Sequence, residues 1–336
     1  MNGDAHLIRI VFTGCGLHAG FRGDEWFKHR IGVFRNYTLK SLANQSNKNF
    51  AIWCSFRAEE RDNPLTQEIR EAIEETGIPY VFTFHGIPYI DDKFSNYTLK
   101  TKLKNLLQML WDSYHHGRKR SFREMWSHTW EDKNKTLPQR LERTLEDLKT
   151  EMGSEFDWIY VTQLDSDDML HRDAVALIQS HAPDYKKALV MDKGFMYNVV
   201  TGQLGEWLPP TCPPFSTVIF PANVFFNPQS YLEYYGSFRT HEDIPKVFLA
   251  ETLDLYKYCV TAHGKHHIST SWDVPLPKRA YQKLKYARPY CYSSSGQNIS
   301  THWESRTRKR KNFMIGEEYT DPQEKREIMS QFGIEI

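Results

Sequence analysis

Apolar positions along this chain fall into short continuous runs separated by helical stripes. Leu7-Ile-Arg-Ile-Val-Phe-Thr13, Phe50-Ala-Ile-Trp-Cys54 and Tyr80-Val-Phe-Thr-Phe84 are apolar on both faces, the pattern of strands buried in a parallel sheet. Between the first two, Phe27, Ile31, Phe34, Leu39 and Leu42 suit a helix, continuous or interrupted, from Trp26 to Asn44. Ile69, Ala72 and Ile73 mark one face of a helix from Thr66 to Thr76, which Gly77 and Pro79 end. The order β-α-β-α-β with short connections is half of a doubly wound nucleotide-binding fold.

The middle of the chain is helical and polar. Leu99, Leu103, Leu106, Leu107, Leu110 and Trp111 make one apolar stripe, read as a core-facing helix face. Gly117 to Arg123 is a basic loop, and the aromatic and charged residues after it suit a flexible lid. Leu137-Pro138 opens a helix that turns Leu141, Leu145 and Leu148 inward. It leads to Trp158-Ile-Tyr-Val-Thr-Gln-Leu164, a buried strand that stops on Asp165-Ser166-Asp167-Asp168. Beyond it, Ala188 to Met191 and Ser216 to Phe220 read as strands, and Met196 to Trp207 as a hairpin around Thr201-Gly202. Thr240 suits the N-cap of a helix predicted from Val247 to Tyr258.

The acidic run changes the picture from fold to chemistry. Asp and Ser form strands and helices poorly, so Asp165 to Asp168 are expected on a loop at the strand's carboxyl end, where ligands of open α/β sheets collect. Three carboxylates within four residues repel one another unless a positive charge sits among them. A hard divalent cation bound to phosphate oxygens supplies it. The plainer reading is an acidic turn capping the helix that begins near Asp173.

Charge and cysteine content narrow the partners. Lys plus Arg (43) nearly balances Asp plus Glu (42), so no global field marks a nucleic-acid binder. Aromatic residues are plentiful, which helps bury a core and also suits sugar-binding clefts. Five cysteines without a CxxC pair predict free thiols in a reducing compartment. No signal-peptide core or bilayer-length apolar run is evident, so a cytoplasmic location is expected, and matches to the glycosylation sequon are read as chance. Arg306, Arg308, Lys309, Arg310 and Lys311 form a basic run, a solvated surface or a peripheral contact with anionic membrane.

Taken together, the βαβαβ start, the strand ending in Leu-Asp-Ser-Asp-Asp, the hairpin and Glu242-Asp243 at a helix start resemble a GT-A-fold glycosyltransferase. The likeness is to inverting, family-two-like enzymes, and within them to bacterial putative rhamnosyltransferases. It is carried by the segment Arg30 to Phe50, by Asp157 to Asp168, by Pro214-Phe215-Ser216-Thr217, by His241-Glu242 and by the Ile-Ser-Thr near the end. The resemblance implies an α/β class: a GT-A-like, Rossmann-like, mostly parallel central sheet flanked by helices, with a helical insertion and a C-terminal extension. It divides the chain into a glycosyltransferase domain over 1–275 and a basic C-terminal extension over 276–336. Within the domain, 1–170 would be the nucleotide-sugar-binding half, with the insertion at about 95–150, and 171–275 the acceptor-binding half.

By position, the resemblance implies that Asp165 holds the donor's ribose or the metal's water shell, while Asp167 ligates Mn²⁺ or Mg²⁺ across the diphosphate. Asp168 could exchange roles with them, and His263 would be a further metal or diphosphate contact. Thr13, Ser55, Arg57 and Arg140 are candidates for the nucleotide sugar. Asp243, or Glu242 beside it, would be the catalytic base. The partners implied are a nucleotide-diphosphate sugar and a glycan or glycoconjugate acceptor. Two departures stand out: Ser55, Phe56 and Arg57 occupy the place of the familiar base-reading Asp, and the Gln-x-x-Arg-Trp element of processive synthases is missing. Alternatives are a nucleotidyltransferase, which the loop at Gly14 to Gly23 fits poorly, a phosphatase using Asp-x-Asp, and an inactive carbohydrate-binding scaffold of the same fold.

Overall fold

The computed structural model describes residues 3–12, 23–86, 98–115, 121–130, 133–199, 202–208, 215–236, 244–253, 258–262 and 314–336. Strands β1 (Asp4–Val11), β2 (Ala51–Ser55), β3 (Tyr80–Thr83) and β4 (Trp158–Asp165) run parallel in the order β3-β2-β1-β4. The sheet continues through β9 (Ser216–Pro221), β6 (Lys187–Val190) and the edge strand β10 (Leu249–Thr252), with only β9 reversed. The fold is thus α/β, with a mostly parallel seven-stranded sheet flanked by helices. Burial on both faces explains the unbroken apolar runs: Ile8, Ile10, Ile52 and Leu164 serve one core cluster, while Leu7, Trp53, Ile159 and Val161 serve the other.

The helix expected from Trp26 to Asn44 is interrupted, as its pattern allowed. Helix α1 (Gly23–Val33) passes through a π-helical turn, Phe34–Thr38, into α2 (Leu39–Ala43). Helix α3 (Pro64–Glu74) starts on Asn63, whose side chain accepts from Leu65 N–H, and Pro64 takes a first-turn position where its missing N–H costs nothing. Helices α4 (Leu99–His115) and α5 (Phe122–Trp130) pack on each other, so the stretch read as a lid is helical. Helix α6 (Lys133–Met152) buries Leu141, Leu145 and Leu148 as expected.

A smaller five-stranded sheet sits beside the first. Its order is β12 (Met314–Tyr319), β8 (Leu204–Leu208), β7 (Gly194–Asn198), β11 (Tyr258–Ala262) and β5 (Met169–Leu170). The β7–β8 pair is the predicted hairpin. Helices α7 (Ala174–Ser180), α8 (Ala222–Phe225) and α9 (Pro228–Tyr235) complete the layers, and α10 (Ile244–Val247) is a single turn. The helix predicted from Val247 to Tyr258 does not form over its described residues 248–253. Residues 249–252 instead pair with β6, because an open sheet edge offers backbone hydrogen bonds that outweigh local periodicity.

Residues 314–336 are integral to the body. Helix α11 (Pro322–Ser330) and the residues after it bury Met329, Phe332 and Ile334 against Met169, Phe195 and Leu204. Gly333 has φ +72°, and a Cβ there would lie 2.8 Å from Asn44 Cβ. Gly333→Ala therefore combines a left-handed backbone with a clash and is expected to cost more than about 1 kcal/mol. A urea denaturation curve unchanged by the substitution would show that this terminus does not brace α2.

Candidate active site at the end of the fourth strand

Crossovers reverse direction between β1 and β4, the switch point at whose carboxyl edge doubly wound sheets bind ligands. Asp165, the last residue of β4, lies level with Val11 there. The chain then turns tightly, the Asp168 N–H donating to the Asp165 carbonyl over 3.2 Å. The residues just beyond this turn are clamped from α2 and the residues that follow it. Ser41 Oγ accepts from Leu170 N–H at 3.2 Å, and the Gln45 amide donates to the carbonyls of Leu170 and His171 at 3.4 and 2.9 Å. From the other side the Gln331 side chain meets His171 Nε2 at 2.9 Å, and the Gln331 carbonyl accepts from Arg172 N–H at 2.9 Å. The loop is thus held by two distant parts of the chain, which preorganises it.

Asp165, Asp167 and Asp168 each bring a carboxylate oxygen within 4.8 Å of the others. Asp167 and Asp168 are buried and Asp165 is partly exposed. The helix-cap reading is excluded by connectivity: β5 stands between the acidic run and α7, and Asp173, at that helix's N-cap, makes no side-chain cap bond. An ion pair joins Arg30, on α1 and only 1 % exposed, to the Asp167 carboxylate. A second buried arginine, Arg9 on β1, donates from Nε to Gln163 Oε1 at 2.9 Å and lies 5.5 Å above the Trp53 ring. Even so, Asp165 is pushed up to about 6, chiefly by burial and then by the Asp167 charge, while Arg30, a Gln163 hydrogen bond and Arg9 pull the other way. Three carboxylates exceed what the arginines offset.

This donor set fits Mg²⁺ or Mn²⁺. All three groups offer hard oxygen ligands, and a divalent charge added to Arg30 balances three carboxylates.

Other predicted residues are spread more widely. Ser55 ends β2 fully buried, and its carbonyl accepts from Phe12 N–H at 3.1 Å. Arg57 follows on the same edge, beside Gly86. Arg140 is half-exposed on α6, and its carbonyl accepts from Thr144 Oγ1 at 2.9 Å. Thr13, Glu242, Asp243 and His263 lie outside the described residues. The chain resumes after Asp243 in α10, which leads to the start of β10 beside Lys187, the amino end of β6. Strand β11 pairs Cys259 with Met169, next to Asp168, and ends at Ala262, one residue before His263. Cys54 and Cys259 are free thiols as expected, pushed up by burial, and the other cysteines lie outside the described residues.

Two features of the site were not assigned from sequence. Arg30 lies three residues after Phe27 and one before Ile31, both buried, so a cation on the apolar side of α1 was a legible sign that a buried acid awaited it. Asp192 follows β6. Leu189 is level with Thr217 and Thr217 with Thr162, so Asp192 stands at the register of Asp165 on the same sheet edge. Its Oδ1 is buried with no hydrogen-bond partner among the described residues. Only strand pairing sets these two acids level with each other, with β9 between their strands.

No protein-family model and no curated protein matches the chain. Among the described residues, no helix is long and apolar enough to cross a membrane.

Proposed function

We propose that the protein transfers a sugar from a nucleotide-diphosphate sugar to an acceptor hydroxyl, using a divalent cation held by Asp165, Asp167 and Asp168. The observation that carries this reading is the three-carboxylate loop at the carboxyl end of β4, set at the switch point of the sheet. When bound, Mn²⁺ or Mg²⁺ would neutralise charge growing on the departing nucleoside diphosphate. The resemblance to GT-A enzymes adds the inverting outcome and a glycan or glycoconjugate acceptor.

The ion pair with Arg30 orients Asp167, so the carboxylates would hold a cation with little rearrangement. Arg9 and Gln163 brace the last turn of β4 from the opposite face. The acceptor hydroxyl needs a carboxylate to take its proton. Asp243 holds that role by resemblance, with Glu242 beside it. Asp192 is a second candidate because its carboxylate follows β6 on the same sheet edge, with Oδ1 unpartnered among the described residues.

The test is calorimetry of nucleoside diphosphates and nucleotide sugars with and without Mn²⁺. Wild type is expected to bind only with metal, and Asp167→Asn to lose the metal-dependent affinity while remaining folded. Unchanged affinity in Asp167→Asn would remove the central assignment. With a donor identified, Asp243→Asn and Asp192→Asn distinguish the two bases: the true one keeps donor binding and loses transfer.

A further inference from the structure

The stripe on α4 that the sequence read as core-facing is largely exposed. Leu106 is buried against Met125 of α5, with Leu110 partly buried beside them, and this is the whole apolar cluster of the hairpin among the described residues. Leu99, Leu103 and Leu107 are 62, 44 and 66 % exposed, and Phe122 and Trp126 on α5 are 56 and 45 % exposed. The leucines recur every fourth residue, so they line one side of α4; Phe122 and Trp126 do the same on α5, with rings 5.7 Å apart. Exposed Lys100 and Lys104 follow Leu99 and Leu103 directly, and exposed Arg123 follows Phe122. Residues 98–130 carry seven Lys and Arg against two Asp and Glu in a chain whose net charge is only +1.

We propose that the α4–α5 hairpin docks the protein on an anionic phospholipid surface. Leucine, phenylalanine and tryptophan side chains would enter the boundary between headgroups and acyl chains, while Lys100, Lys104 and Arg123 meet lipid phosphates. Amphipathic helices that lie in a bilayer interface combine apolar burial with basic residues in this way. The centre of a protein–protein interface is instead depleted of charge, whereas here lysines are interleaved with the leucines. A negative surface also complements the basic excess of this hairpin. The proposal is independent of the sugar-transfer reading, since vesicle binding requires neither nucleotide nor metal.

Flotation of the full chain with phosphatidylcholine vesicles, with and without phosphatidylglycerol, tests it. Wild type is expected to float with the anionic vesicles, and less so in high salt, which screens the lysines. Leu103→Glu with Leu107→Glu is expected to weaken binding roughly tenfold or more, because two exposed apolar anchors are lost. Its unfolding curve should match wild type, since neither leucine is buried. Lys100→Glu with Lys104→Glu should abolish the preference for phosphatidylglycerol. Flotation retained in the leucine variant would assign binding to the basic run at 306–311 and overturn the proposal. So would no flotation of wild type, or self-association that the leucine variant abolishes, which would make the face a contact between copies of the chain.

Discussion

Arg30→Met is expected to destabilise the protein by about 3–5 kcal/mol, the usual cost of stripping one partner from a buried ion pair. Methionine fills similar space, so the loss would be electrostatic. Arg30 is only 1 % exposed and is ion-paired to Asp167, which itself lies within a three-carboxylate cluster. Without Arg30, those acids repel one another in a poorly solvated place, and the Asp165 carboxyl, already pushed up to about 6, would rise further. Arg30→Met/Asp167→Asn should recover much of the loss, because the buried charge and its partner leave together. Mn²⁺ should raise the melting temperature of Arg30→Met more than that of wild type, since a bound cation replaces the missing positive charge. Urea denaturation provides the measurement. A loss under about 1 kcal/mol, the range of an exposed ion pair, would mean that Arg30 does not balance the acidic loop. A melting temperature indifferent to Mn²⁺ in both proteins would count against the cation itself.

Acid is expected to weaken the fold through His6, a buried residue on β1. Gln179 Nε2 donates to His6 Nδ1 at 3.0 Å and to the Asn49 carbonyl at 2.8 Å, while Gln179 Oε1 accepts from Asn47 at 2.8 Å. That pattern sets the amide's orientation and makes Nδ1 an acceptor, so the proton of the neutral ring sits on Nε2 and is donated to Thr162 Oγ1 at 2.7 Å. Thr162 in turn meets Thr217 at 2.6 Å. A second ring proton would face a donor, and burial lowers the His6 pKa from 6.5 to about 3. The folded state then binds protons less readily than the unfolded one. Its stability is complete above pH 6.5 and falls as pH drops toward 3, with about 2 kcal/mol lost by pH 5. His6→Gln keeps one donor and one acceptor but cannot titrate. Denaturation curves from neutral pH to pH 5 should show wild type losing that stability relative to the variant. Parallel pH dependences would eliminate His6 as the cause.

The acidic site was legible where chemistry and chain order coincide. A buried strand ending on Asp165, Asp167 and Asp168 could be read directly, because residues that disfavour strands mark its carboxyl end. Arg30 was less legible, since α1 shows which residues face inward but not which acid receives a cation placed among them. Asp192 was hidden for a different reason. Its place level with Asp165 depends on β9 running backwards between β4 and β6, a pairing with no local mark in the chain.

The sequence by itself determined the β-α-β-α-β start, the inward faces of α3 and α6, the β7–β8 hairpin and the loop position of the acids. Each depends on periodicity or on residues that resist regular structure, and both are local properties. Tertiary structure alone decided that residues 249–252 became an edge strand and that 314–336 closed over β7 and β8. It likewise decided that Leu99, Leu103 and Leu107 face outward from a stripe of which, among the described side chains, Leu106 and in part Leu110 are covered. A hydrophobic period tells which side of an element is apolar; what covers that side, and which charges meet across a sheet, is settled by contacts between residues far apart in the chain.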